Sequence, residues 1–156
     1  MRTTAEALRS RRQQTEQLRF NQSVYRPNQQ QVYDSIVQSW QRSARCVSLD
    51  TRVAPLVTVA SAVDAWQQSG YAQAMALCQP EISALVQESG MVAAIADSGS
   101  KIVWTGCSQA MQDAAEQVHF VANAMGDEHS VGTNALALAL RNRQSVCVFS
   151  SEHFMP

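Results

Sequence analysis

The sequence predicts a mixed α/β domain of the α+β kind, an antiparallel sheet flanked by helices and preceded by further helices. Three observations carry that prediction. Apolar residues recur at helical spacing from Val32 to Trp66 and again from Met111 to Met125. Between these blocks, "MVAAIAD", the turn residues "DSGS" and the β-branched and aromatic "KIVWTG" read as two strands joined by a hairpin loop. Near the end, the Ala/Leu run from Ala135 to Leu140 precedes a third strand-like segment, "QSVCVFSS".

At 156 residues, 46% hydrophobic content and a formal charge of -1, the chain is sized for one soluble domain with a real core. No strongly basic surface for nucleic acid and no strongly acidic one is expected, and no apolar run approaches the roughly 20 residues that span a bilayer. The start, "MRTTAEALRSRRQQTEQLRF", has arginines but no apolar h-region, which is not the pattern of a secretory signal. The expected compartment is cytoplasmic. Cys46, Cys78, Cys107 and Cys147 are scattered without a C-x-x-C pair, which fits reduced thiols buried as small hydrophobes.

The first 30 or so residues, rich in Gln and Arg, read as an exposed helix followed by a joint at Pro27. From Asn28, Val32, Ile36 and Trp40, with Tyr33 and Val37 beside them, form a helical stripe that ends near Cys46. A second helical block follows Pro55, with Leu56, Val57, Ala60, Val63 and Trp66 on one side, and Gly70 interrupts it before "YAQAMALC". Pro80 suits a first turn and opens a short helix carrying Ile82, Leu85 and Val86, which Gly90 stops. After the hairpin, Met111, Ala115, Val118, Ala122 and Met125 again follow helical spacing.

"EHSVGTNALALAL", Glu128 to Leu140, alternates small and large residues as a half-buried strand would, yet its last six residues are all Ala or Leu, with no β-branched residue. Composition favours a helix, and Arg141, Asn142 and Arg143 suit its C-terminus. The polar step in front is then its N-terminus: Gly132 permits a tight turn or close approach, and Thr133 or Asn134 caps the free N–H groups. For Glu128 a cap, a ligand contact and a solvent-facing position all stand open. A helix apolar on all sides is expected to be buried.

These residues resemble the GAF-type sensory domain of sigma-54-dependent transcriptional activators of the acetoin and glycerol (dihydroxyacetone) catabolism regulator group. That family's motif runs roughly W-S-E-x-x-x-G-T-N-A, then an apolar helix, then a strand ending in E-H-F. Glu128, Gly132, Thr133, Asn134 and Ala135 match it, as do Glu152, His153 and Phe154. Upstream, "IVQSWQRS" is similar to the family's S-W-x-R-[CS] element, and "MVAAIADSGSKIVWTG" to its first hairpin. Gly126 stands where the family has Trp. The family sheet continues beyond E-H-F and these residues stop at Pro156, so an open edge on the first strand and self-association through it, or through the helix carrying Trp40, are expected. No G-x-x-x-x-G-K-[ST] motif is present, so no ATPase domain is expected within these residues.

The resemblance implies a helical segment over 1–50, for linkage or dimerisation, and a GAF-like sensory domain over 51–156 lacking the family's last strands. It implies an effector, a small molecule or a regulatory protein, controlling ATPase and DNA-binding output elsewhere. Candidate effector-pocket residues are Trp104, Val121, Met125, Glu128, Thr133, Asn134 and Phe149. A homodimer is expected, with DNA and sigma-54 RNA polymerase reached only through domains outside these residues, and no membrane contact, cofactor, metal or catalysis. Two other classes compete: a stand-alone GAF enzyme that reduces free methionine sulfoxide with cysteines, and a structural dimerisation module. His119, His129 and His153 match no metal-ligand spacing. Trp40, Trp66 and Trp104 fit core positions as well as ligand platforms. Cys107 is the leading reactive-thiol candidate in sequence, yet no Lys, Arg or His lies close to it in the chain, which favours a buried, inert cysteine.

Overall fold

A computed structural model describes Glu6, Ser10, Gln13 and residues 29–48, 50–57, 64, 66–149 and 152–154. Its described elements are helices α1 (Gln29–Ser43) and α2 (Gly70–Ser89), strands β1 (Val92–Ala96) and β2 (Ile102–Cys107), a 3-10 turn at Gln109–Met111, and helices α3 (Gln112–Gln117) and α4 (Ala135–Asn142). The class is α+β, as expected from the sequence, with a two-stranded antiparallel sheet. The chain divides into two compact units, residues 1–52 with 126–156, and residues 53–125. The expected helix before Pro27 lies largely outside the described residues.

In the first unit, α1 turns Ile36 and Trp40 inward one helical turn apart, where they pack with Val47, Leu138 of α4 and Phe154. Val32 and Tyr33, also expected on this stripe, have side chains outside the described set. Ser39 and Ser43 share the buried side, so this face is not simply apolar. Asn134 caps α4: its Oδ1 accepts from Ala137 N at 2.9 Å. The helical reading of Ala135–Leu140 is borne out, but burial on all sides is not. Ala137 and Leu138 are buried while Leu140 is 38% exposed, because α4 has one packed face.

The third expected strand, 144–151, is absent over its described part. Residues 145–149 form no helix and no strand ladder, although Val146 and Val148 pack towards the core and Cys147 and Phe149 are exposed. The alternation in sequence is real, and a ladder needs a neighbouring strand that the described residues do not supply.

In the second unit, residues 54–57 are extended instead of helical. Ala54 N and Val57 N donate to the carbonyls of Val118 and Asn123, and Leu56 bridges Ala124, so backbone pairing overrides the helical spacing there. Residues 58–63 and 65 lie outside the described set. Ser69 caps α2 and Gly90 ends it at φ 66, as its position suggests. Pro80 does not begin a helix; it sits inside one continuous 20-residue helix. The carbonyl that a proline at 80 leaves without its helical partner is that of Ala76, on an exposed stretch of helix open to solvent. The β1–β2 hairpin forms as expected, with Asp97 Oδ1 accepting from Gly99 N and Lys101 N, both at 2.9 Å, to close its turn. The helix expected through Met125 stops at Gln117. Asn123 N donates to Ile102 O and Ile102 N to Ala124 O, so the segment past 118 is drawn into pairing beside β2.

Gly132 is a tight point of the first unit. Its φ is 73°, and a Cβ placed there would stand 2.5 Å from Phe154 Cβ. Gly132→Ala is therefore expected to lower urea-unfolding stability by roughly 2–5 kcal/mol, the sum of left-handed strain and overpacking. Gly70→Ala, where no atom lies within 4 Å of a Cβ, should change it by less than about 1 kcal/mol. Equal effects at the two sites would contradict this packing.

Candidate functional site

Two places draw functional groups together, one in each unit. The first is a polar junction. The last turn of α1 carries Ser39, Arg42 and Ser43 on a common side, as positions three and four apart must be. Arg42 donates from Nε to Glu128 Oε2 at 2.7 Å and from Nη2 to Oε1 at 2.6 Å, a two-point fork. The Ser39 hydroxyl donates to Glu128 Oε1 at 2.6 Å and lies 2.9 Å from Thr133 Oγ1, and Ser43 Oγ stands 3.2 Å from the same Thr133 oxygen. Beside them, Trp40 Nε1 donates to the Glu152 carbonyl at 2.7 Å, and Phe154 N donates to Thr133 O.

Every partner in this network comes from one of the three short motifs noted in the sequence, S-W-x-R-S, E-x-x-x-G-T-N-A and E-H-F. The Arg42 and Glu128 charges and the Ser39, Ser43 and Thr133 hydroxyls are engaged with one another, while the Glu152 carboxylate accepts from Phe149 N at 2.9 Å. Burial acting alone would push the Glu128 carboxyl up, but the hydrogen bonds from Arg42 and Ser39 prevail and hold it below the usual carboxylate range. Burial pushes His153 down, against a hydrogen bond to the Val148 backbone and the Glu152 charge.

The second place is a cleft of about 770 Å³ between α2 and the hairpin. Tyr71, Met75, Cys78 and Ile82, spaced four, three and four residues apart, form one stripe of α2, and Ile95, Ala96 and Val103 face them from the sheet. Trp66 closes part of the wall. Two polar side chains on the lining have internal duties: Ser69 accepts from Ala72 N and donates to Trp66 O, and one Asp97 oxygen closes the hairpin turn. The surface offered to a ligand is therefore mainly aliphatic, aromatic and sulfur.

Of the residues expected at an effector pocket, Glu128 and Thr133 meet through Ser39 in the junction. Asn134 is the α4 cap, and its Nδ2 also donates to the Gly126 and Gly132 carbonyls. Phe149 is exposed in the first unit. Trp104 lies on β2, paired across from Ile95, while Val121 and Met125 lie in the turns after α3, with Met125 bridging Lys101. None of the seven lines the α2 cleft. The stripe that does was divided in sequence by Pro80, and reading helical spacing straight through that proline would have found it. Among the described residues no cluster of three or more His, Cys, Asp or Glu is placed to hold a metal ion, and no helix is long and apolar enough to cross a membrane.

No family model matches the chain, and no solved structure matches it. A Rhodococcus erythropolis protein described as an uncharacterized 47.3 kDa protein in the thcA 5′ region is 30% identical over 128 residues, which is 79% of this chain and 29% of that protein. The chain thus spans less than a third of the length of this relative.

The junction makes two measurable demands. Arg42→Ala leaves a mostly buried carboxylate without its cation and should cost roughly 2–4 kcal/mol at pH 7. Both shifted groups have folded values below their unfolded ones, so each contributes stability above its ordinary value and loses it as pH falls. His153 acts first, below about 6.5, and Glu128 next, below about 4.3, where the unfolded chain binds a proton that the folded chain does not. Urea unfolding between pH 7 and 3.5 should show both losses, with His153→Gln removing the first and Glu128→Gln the second. A flat profile in the wild type would contradict the assignment.

Proposed function

We propose that the chain is a GAF-type sensory segment of a transcriptional regulator, that it binds a small-molecule effector without transforming it, and that the effector occupies the cleft between α2 and the β1–β2 hairpin. The cleft itself carries this reading: it has the volume of a small-metabolite site and lies between sheet and helix, where the family resemblance sets the pocket. Its lining favours a small, uncharged, largely apolar molecule, because an ion placed against Ile82, Ile95 and Val103 would lose its hydration with little in return.

The junction residues support the same reading from the other side. Glu128, Thr133 and Asn134 spend their hydrogen bonds on α1 and α4, which suits a structural fastening better than ligand contact. In this reading the output is ATPase action on sigma-54 RNA polymerase and DNA binding through other segments, with the sensory segments paired as a homodimer in the cytoplasm. A relative nearly three times as long is compatible with a sensory segment inside a larger regulator.

A thermal-shift screen of small uncharged metabolites, with the dye ANS as a displaceable reporter, tests the site. A true effector at 100 times its Kd should stabilise the folded chain by about 2.7 kcal/mol. Met75→Trp, which fills the cleft, should abolish both that shift and dye displacement, while Thr133→Ser should retain them. Effector binding that survives Met75→Trp would place the site elsewhere.

A further inference from the structure

Cys46 and His129 lie 83 residues apart in sequence, yet His129 Nδ1 stands 3.1 Å from Cys46 Sγ, and both side chains are exposed. Each is held by built local structure. Cys46 lies in the turn that ends α1, where Cys46 N and Val47 N donate to Ser43 O and the Val47 side chain is buried. His129 lies in a turn organised by Asp127, whose Oδ1 accepts from His129 N at 2.8 Å and from Ser130 N at 3.1 Å. The Arg42–Glu128 fork ties the two turns together one residue before the histidine and four before the cysteine. The contact is thus fixed by the backbone on both sides.

We propose that Cys46 is a site of oxidative modification, a thiol that reacts with hydroperoxides with His129 as its base. An imidazole nitrogen against a solvent-open thiol can take the proton as sulfur attacks, which is the arrangement a nucleophilic cysteine needs. Sulfur attacks the nearer peroxide oxygen, a new S–O bond forms and the O–O bond breaks. The thiol proton passes to His129 Nδ1 and then to the departing oxygen, which leaves as water or an alcohol. Cys46 is oxidised by two electrons to the sulfenic acid, and the peroxide is reduced by two.

The chain carries its own controls. Cys78 and Cys147 are exposed as well, not buried as the sequence suggests for all four thiols, and among the described residues neither has a hydrogen bond to a histidine ring such as the one at Cys46. The full chain is treated with hydrogen peroxide in the presence of a 1,3-dione that traps sulfenic acids, and the adduct on each cysteine is followed by peptide mass spectrometry. Cys46 should be trapped about tenfold faster than Cys78 and Cys147, a modest part of what a positioned base contributes in an enclosed site. In His129→Ala and His129→Gln, with folding checked by circular dichroism, the Cys46 rate should drop to that of the other two. Equal rates at the three cysteines of the wild type, or a Cys46 advantage that survives both folded variants, would overturn the proposal.

Discussion

The two-point fork between Arg42 and Glu128 is the constraint on which the first unit rests, because it joins residues 86 positions apart and sets the frame for everything beside it. With Glu128 fixed, the Ser39 hydroxyl reaches both its carboxylate and Thr133. Thr133 in turn places its carbonyl for Phe154 N, and Gly132 lets the Phe154 ring lie against the backbone where no side chain would fit. Trp40 completes the arrangement by spending its indole N–H on the Glu152 carbonyl. Polar groups make the connections, and Ile36, Trp40, Leu138 and Phe154 supply the apolar burial that excludes water from them.

This division of labour explains why a polar step precedes so apolar a helix as α4. Removing one partner would leave buried hydroxyls or a carboxylate unsatisfied, whereas the complete network is self-contained. The network therefore specifies which turn of α1 meets which turn before α4. In the other unit, the α2 cleft presents apolar surface, and its two hydrogen-bonded polar residues, Ser69 and Asp97, serve the helix cap and the hairpin turn. The proposed effector site follows from that contrast: one region has used its hydrogen-bonding capacity, and the other keeps an open, greasy volume.

Much of this organisation could be read from local chemistry. The hairpin was legible because β-branched residues flank a turn whose Asp caps its own backbone, and the α4 start because Asn134 stands immediately before an Ala/Leu run. What failed depended on partners distant in sequence. Leu56 and Val57 had helical spacing but pair with Ala124 and Asn123; Val146 and Val148 alternate as in a strand but lack a strand to join. Pro80 marks a helix start by local rules, but a proline on an exposed helix face can be passed through, and the Tyr71–Met75–Cys78–Ile82 stripe runs across it. The three motifs were each visible as short strings. That they are one another's hydrogen-bond partners was not, since no spacing rule connects Arg42 to Glu128 or Trp40 to Glu152.

The central claim, that one polar network fastens α1 to the start of α4, is tested most directly by native-state amide hydrogen exchange of the wild type and Glu128→Gln. The account predicts that amides in residues 36–43 and 133–138 lose protection together and to the same extent in the variant, because both segments open as one unit once the fork is broken. Loss of protection confined to residues 36–43, with 133–138 exchanging as in the wild type, would contradict it.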